Sequence, residues 1–256
     1  MPQPTILVVN DDGIHAPGLR KLIGIAREYG DVTVVAPDIP RSGMSHAITS
    51  NAPLRVRKLA EEEGYAEYEC NGTPVDSVKL AEQVVLGRKP DLLLSGINHG
   101  SNASVNIIYS GNMAAVLEGC IDGIPSIGFS ILDYSRNADM SGVDEYIKKI
   151  ISDVLENGLP GNTCLNVNIP AVKKEEIKGI RLCRQGKGKW QEEFDHRVDP
   201  RNRRYYWLTG IFIDGDSAPD TDSRALANNY ISVVPVHFDF TSHKALEALK
   251  SRGFYD

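Results

Sequence analysis

The sequence predicts an α/β protein: a three-layer α/β/α, Rossmann-like and mostly parallel sheet, with a C-terminal extended arm or β-hairpin subdomain. Three observations carry this. Short, nearly all-apolar runs recur, as expected for strands buried on both faces of a parallel sheet. Segments of helical period alternate with them, which means parallel strands with helices on both faces. Near Gly186 the texture changes sharply to GKGKWQEEFDHRVDPRNR, polar and charged with one Trp and one Phe.

Taken in order, Thr5 to Asn10 (TILVVN) is the first buried strand. Leu19, Leu22, Ile23 and Ala26 then recur at helical spacing, with Pro17 suited to the first turn and Gly30 to the position past the end. Val32 to Ala36 is the next strand. LRVRKL and YAEYEC, between Leu54 and Cys70, alternate apolar with polar residues around Glu61-Glu62-Glu63-Gly64 and read as a hairpin with one wet face. Thr73-Pro74-Val75-Asp76 opens a helix by threonine cap, proline and first-turn carboxylate, and that helix runs to about Leu86 before Gly87. Asp91 to Leu94 feeds a third buried strand, and a glycine-rich loop follows. A small-residue helix spans about Gly111 to Ile121, then a strand Pro125 to Ser130. Ser141 is expected to cap a helix striped by Ile147, Ile150, Ile151, Val154 and Leu155. CLNVNIP (164–170) and YISVVPV (230–236) are further strands, and a last helix begins near Thr241. The expected division is an α/β/α core over 1–185, an arm over 186–240, and a terminal helix over 241–256.

The chain has 256 residues, 41% of them hydrophobic and 24% charged, which suits one large soluble domain with a sizeable core. Its 28 Lys and Arg stand against 34 Asp and Glu, a net charge of −6. That balance provides no electrostatic footprint for a nucleic-acid duplex. No apolar run approaches the ~18–20 residues of a membrane span, and Met1 to Gln3 carries no basic leader, so a cytoplasmic protein is expected. Cys70, Cys120, Cys164 and Cys183 are scattered, which suits buried small hydrophobes better than disulfides or zinc.

The sharpest local feature is Asn10-Asp11-Asp12-Gly13. Asp-Gly is a strong turn signal, but a helix follows at Pro17, which makes this a strand-to-helix loop at the edge of a sheet where ligands bind. Two adjacent carboxylates repel there, and a divalent cation relieves the repulsion; a plain turn and a metal site fit the spacing equally. Two further strand-end loops are rich in neutral oxygen donors: Arg41-Ser42-Gly43-Met44-Ser45-His46, and Ser95-Gly96-Ile97-Asn98-His99-Gly100-Ser101-Asn102. Carboxylate, hydroxyl and amide oxygens form a hard set suited to Mg²⁺, Mn²⁺ or Ca²⁺. Tyr109-Ser110-Gly111-Asn112 opens a helix whose first amides could hold an anion, or whose serine is an ordinary cap. His15, His46 and His99 fall in the three loops and are candidates for substrate contact or proton transfer. GxGxxG after the first strand, GxxxxGK[ST], GxSxG and HExxH do not occur, which argues against dinucleotide oxidoreductases, P-loop enzymes, nucleophile-elbow hydrolases and zincins.

NDDG (10–13), RSGMSHAIT (41–49), NGTPVDSVKLA (71–81), SGINHGSN (95–102) and YSGNMAAVLEG (109–119) together resemble the SurE family, the stationary-phase survival proteins. RYYWLTG (204–210) and YISVVPV (230–236) resemble its C-terminal signatures. The resemblance spans Ile6 to about Val236, seven motifs in family order. It implies a 5′(3′)-nucleotidase that releases phosphate from nucleoside monophosphates, with short polyphosphate as a further substrate. It implies one divalent cation per subunit, Mg²⁺ or Mn²⁺, held by Asp11, Asp12, Ser42 and Asn98. Asp11, Asp12 and Asn98 would carry the catalysis, and Gly43, Asn102, Ser110 and Gly111 would bind the phosphate. The family's arm exchanges between subunits, so a homodimer or tetramer is expected. A non-catalytic nucleotide-binding regulator on the same fold is the alternative. Asn112-Met113 stands where the family more usually has Thr-Val.

Overall fold

The computed structural model describes residues 3–135 and 137–252. Its centre is a nine-stranded sheet. The strands are β1 (Thr5–Val9), β2 (Asp31–Pro37), β3 (Val56–Glu62), β4 (Tyr65–Cys70), β5 (Leu92–His99), β6 (Ser126–Ile131), β7 (Cys164–Ile169), β8 (Ile180–Leu182) and β11 (Ile231–Val236). Across the sheet they run β3-β4-β2-β1-β5-β6-β7-β11-β8. All neighbours from β4 to β7 are parallel, whereas β3 on β4 and β11 on β7 are antiparallel. The remaining strands, β9 (Lys189–Val198) and β10 (Arg204–Ile213), form a separate antiparallel hairpin.

Each face has its own core. On one, α1 (Pro17–Ala26) and α5 (Asp144–Asn157) cover Ile6, Val8, Leu92, Leu94 and Ile127. On the other, α2 (Pro74–Leu80) and α4 (Gly111–Ile121) cover Leu7, Val9, Val35 and Leu93. The alternation of Ile6, Leu7, Val8 and Val9 between the two cores explains why this strand is apolar throughout rather than every second residue. Short α3 (Asn106–Tyr109) leads into α4, α6 (Asp222–Ala227) precedes β11, and exposed α7 (His243–Lys250) ends the described chain. Among the described residues no helix is long and apolar enough to cross a membrane.

Three local expectations change. The helix opened by Thr73 is α-helical only to Leu80 and continues as a π-helix, Ala81–Leu86, before Gly87 closes it in the left-handed conformation at φ 64°. Ser141 does not cap α5, which starts at Asp144 without a side-chain cap. The Ser141 amide instead donates to Asp139 Oδ1 at 2.9 Å, closing a turn one step earlier. Most consequentially, β5 does not stop at Leu94. It continues through Ser95-Gly96-Ile97-Asn98-His99, with a register shift against β6 between Ser95 and Asn98. A bulge of this kind bends a strand end and re-aims its side chains.

The chain returns to β5 on the opposite side of β1 from β2, and α1 and α4 then lie on opposite faces. A crevice therefore opens beyond the carboxyl ends of β1 and β5, the usual position of a ligand in such sheets.

Candidate active site

The loop after β1 brings Asp11 and Asp12 to this crevice. Asn10 Nδ2 donates to the Gly13 carbonyl at 2.9 Å, and Gly13 takes φ 95°, which closes the tight turn that the DG dipeptide announces. The Arg41 amide donates to the Asp11 carbonyl at 2.7 Å and fastens the loop after β2 alongside. Asp11 is only 3% exposed, and its Oδ1 is buried with no hydrogen-bond partner among the described residues. Burial first, and the neighbouring Asp12 carboxylate second, push the Asp11 carboxyl up to about 7; its own amide and that of Asn112 pull the other way. A buried carboxylate with an orphaned oxygen and a like charge beside it is a poor resting state for a protein alone. It is well suited to a hard divalent cation.

Neutral oxygens stand around this pair. Asn98 sits just past the bulge of β5, buried, with Nδ2 donating to the Gly100 carbonyl at 2.9 Å. The next amide, His99 N–H, donates to Asp12 Oδ2 at 3.2 Å and ties the two strand ends together. Ser42 is exposed and lines a cleft of about 420 Å³ with Asp12, His15, Asp38, His99 and Tyr134. Among the described residues no three His, Cys, Asp or Glu side chains gather in metal-holding geometry. A cation at this crevice therefore relies on two carboxylates supplemented by hydroxyl and amide oxygens.

The opening of α4 supplies the third wall. Ser110 Oγ accepts from the Met113 amide at 3.0 Å, an N-cap that sets where the helix begins. Gly111 is packed directly on Asp11: a Cβ there would lie 3.0 Å from Asp11 Cβ and 3.2 Å from Asp11 Oδ2. The positive end of the α4 dipole thus points at the carboxylate pair. Asn112, completely buried, accepts from Ser95 Oγ at 2.6 Å through Oδ1 and donates to the Phe129 carbonyl at 3.3 Å. Its side chain holds β5 and β6 against the helix. Met113 packs against Gly128, where a Cβ would come within 2.4 Å of the sulfur, so the bulky Met113 is accommodated by a glycine on β6.

The remaining sequence candidates divide. Gly43 is exposed in the left-handed region at φ 74°, on the loop that carries Ser42. Asn102 is turned into the core: Nδ2 donates to Ser130 Oγ at 2.7 Å, its amide to Asn168 Oδ1 at 2.8 Å, and its carbonyl accepts from Asn166 Nδ2 at 2.9 Å. Its side chain holds β6, and its backbone holds β7, to the segment after β5, so the Nδ2 is committed to Ser130 rather than presented to the cleft. His15 and His99 line the cleft with Asp12, and His99 Nδ1 is 2.7 Å from the Ser135 carbonyl. His46 lies elsewhere, its Nε2 2.8 Å from buried Glu118 of α4. Glu118 also accepts from Lys79 of α2, so one buried carboxylate clamps the loop after β2 to both helices. Sequence reading missed Glu118; its signal was a lone carboxylate in the middle of an otherwise apolar helix.

Sequence and structure comparisons agree with one another. The model of the family described as Survival protein SurE matches residues 6–192. A protein of Flavobacterium psychrophilum named 5′-nucleotidase SurE is 56% identical, covering 98% of each chain. One of the same name from Christiangramia forsetii is 55% identical over 99% of this chain and 98% of its own. The crystal structure of the SurE protein from Aquifex aeolicus superposes with a TM-score of 0.83 at 40% identity, covering 98% of this chain and all of that one.

Proposed function

The chain belongs to the SurE family, and from that premise we propose that it is a divalent-metal-dependent phosphomonoesterase acting on nucleoside monophosphates, a 5′-nucleotidase. The observation that carries the reading is the buried, unpartnered Oδ1 of Asp11 beside Asp12 at the mouth of the β1–β5 crevice. Asp11 and Asp12 hold the cation, Mg²⁺ or Mn²⁺, one per subunit, with Ser42 Oγ and the Asn98 amide oxygen completing its protein ligands. When bound, such a cation polarises a phosphoryl oxygen and lowers the pKa of water.

The chain's own residues do the rest. The His99 amide on Asp12 and the Gly100 carbonyl on Asn98 fix the orientation of these two ligands. Amides of Gly43 and Gly111 face the phosphoryl group and stabilise charge that develops on it, whereas the Ser110 amide already donates to the Ile107 carbonyl at 3.4 Å and closes α3 instead. The Ser110 cap fixes where the α4 amides begin. Asp12, at the cleft surface, is placed to take a proton from the attacking water, while Asp11 is too enclosed for that exchange. Gly111 has no side chain to keep the phosphoryl group away from Asp11.

The exposed aromatic hairpin supports assembly into a homodimer or tetramer. Phe194, Tyr206, Trp207 and Ile211 are all exposed on it, apolar and aromatic surface of the composition that anchors subunit interfaces. The test of function is phosphate release from a panel of nucleoside 5′- and 3′-monophosphates and short polyphosphate, each with Mg²⁺, Mn²⁺ or chelator. Metal-dependent release from the nucleotides is expected. Tight nucleotide binding without turnover under any metal would make the chain a regulator and overturn the reading.

A further inference from the structure

We propose that the cavity between Tyr109 and the root of the β9–β10 hairpin seats the nucleobase of the substrate, by stacking rather than by reading the base's edge. This rests on the phosphomonoesterase reading of the neighbouring crevice. The cavity, about 440 Å³, is lined by Tyr109, Trp190, Glu192, Leu208, Thr209 and Gly210. Tyr109 immediately precedes the Ser110-Gly111 opening of α4, and its carbonyl accepts from the Ser45 amide at 3.2 Å on the loop that carries Ser42 and Gly43. One end of the cavity therefore adjoins both loops assigned to the phosphoryl group.

The walls are fixed in place rather than loosely apposed. Trp190 Nε1 donates to Asn106 Oδ1 of α3 at 2.8 Å, and the indole meets Phe212 edge-on at 5.7 Å between ring centroids. Behind it, Gly188 N–H donates to Ser104 Oγ at 2.8 Å and Ser104 Oγ donates to the Gly186 carbonyl at 2.9 Å. Buried Asp222 accepts from the Ser104 and Gly186 amides at 2.7 and 2.9 Å. The hairpin root is thereby locked onto the segment joining Asn98 to Ser110. Trp190 and Tyr109 nevertheless remain 37% and 51% exposed, so ring surface is left uncovered at the cavity.

The lining selects its occupant. Two aromatic rings and Leu208 offer flat apolar contact, which a base satisfies through its π face and a phosphate or bare sugar does not. Glu192 repels the phosphate dianion, so the charged end of a nucleotide is directed to the α4 amides and the base to the cavity. Thr209 Oγ is already spent on the Glu193 carbonyl at 3.1 Å, which leaves little dedicated hydrogen-bonding equipment for one base over another. Stacking accepts any base.

Steady-state kinetics on adenosine 5′-monophosphate and on ribose 5-phosphate, which lacks the base, separate the contributions. Trp190→Ala and Tyr109→Ala should each raise KM for the nucleotide roughly tenfold, with kcat little changed and KM for ribose 5-phosphate moved less than about twofold. Trp190→Phe, which keeps a ring but loses the bond to Asn106, should recover most of the nucleotide KM. A binding readout independent of turnover comes from a Trp207→Phe background, where Trp190 is the one remaining tryptophan. Adenosine 5′-monophosphate should quench its emission and ribose 5-phosphate should not. Equal losses on both substrates would show that Trp190 only props up the hairpin, and absence of quenching by the nucleotide would overturn the proposal. A parent that quenches normally but hydrolyses neither substrate would leave the base site standing and remove the phosphatase reading instead.

Discussion

Gly111 and Asp11, a hundred residues apart in sequence, touch: a Cβ on Gly111 would stand 3.0 Å from that of Asp11 and 3.3 Å from the Pro74 ring. The residue that opens the proposed phosphate cradle is therefore also the packing surface of a proposed metal ligand. Gly111→Val should weaken inhibition by inorganic phosphate and Mn²⁺ affinity together, each by about tenfold or more, because the added methyls displace the Asp11 carboxylate. Sequence alone treats the two roles as separable, since nothing in the spacing reveals the contact. Phosphate inhibition lost with Mn²⁺ affinity unchanged, read by titration calorimetry, would restore that separation.

Asp11 sits charged only at a cost in the metal-free protein. Asp11→Asn should lower phosphatase turnover at least about a hundredfold while raising the melting temperature in chelator by a few degrees. The sign with pH follows from the raised carboxyl. Between 3.8 and about 7 the folded chain keeps a proton that the unfolded chain has released. This stabilising contribution is complete below 3.8, falls as pH rises through that window and is gone above about 7. The advantage of Asp11→Asn over the parent should therefore widen as pH rises from 4 to 7. A gap that is flat or narrows across that range would mean Asp11 is not held neutral by burial.

Glu118 makes the opposite prediction. The His46 hydrogen bond first, then Lys79, hold its carboxyl below the ordinary range against the pull of burial. A depressed carboxyl stabilises above 4.5 and loses that contribution as pH falls through its folded value. Glu118→Ala should cost about 1–2 kcal/mol near neutrality, discounted because Lys79 and His46 are partly exposed. The difference from the parent in urea denaturation should shrink below pH 4.5, and an unchanged difference there would remove the ion-pair account.

What was legible in the sequence was local. The bounds of α4 follow from the Ser110 cap and the small residues behind it, and the four-residue apolar run Ile6 to Val9 of β1 could be little else. Ser141 misled because Asp139 captures its amide, a choice made in three dimensions by side chains that compete for the same turn. The NDDG, RSG and SGIN segments were recognisable as oxygen-rich strand ends, and the crevice does collect them. The inward turn of Asn102 was not legible, because its partners Ser130, Asn166 and Asn168 lie on strands remote in sequence. The separation of His46 from His15 and His99 was hidden for the same reason, since only the fold brings Glu118 to it.

The hairpin gives a test of assembly. Lys189 pairs with Ile213 at its base, so removing 189–213 and joining Gly188 to Asp214 takes out both strands and closes the chain where its ends already meet. Light scattering coupled to size exclusion should find the parent at twice or four times 28.1 kDa and the shortened chain as a monomer. A parent eluting as a monomer at micromolar concentration, or a shortened chain of unchanged assembly, would rule the hairpin out as the joining element.

If a cation held by Asp11 and Asp12 makes this chain a nucleotidase, the dependence of phosphate release on Mn²⁺ concentration shows it most directly. For the parent acting on adenosine 5′-monophosphate, the rate should rise from near zero in chelator to a plateau that fits one cation per subunit. For Asp12→Asn, the whole curve should collapse, with turnover at saturating Mn²⁺ at least about a hundredfold below the parent. A parent that releases phosphate equally well in chelator, or an Asp12→Asn protein that reaches the parent's plateau, would contradict it.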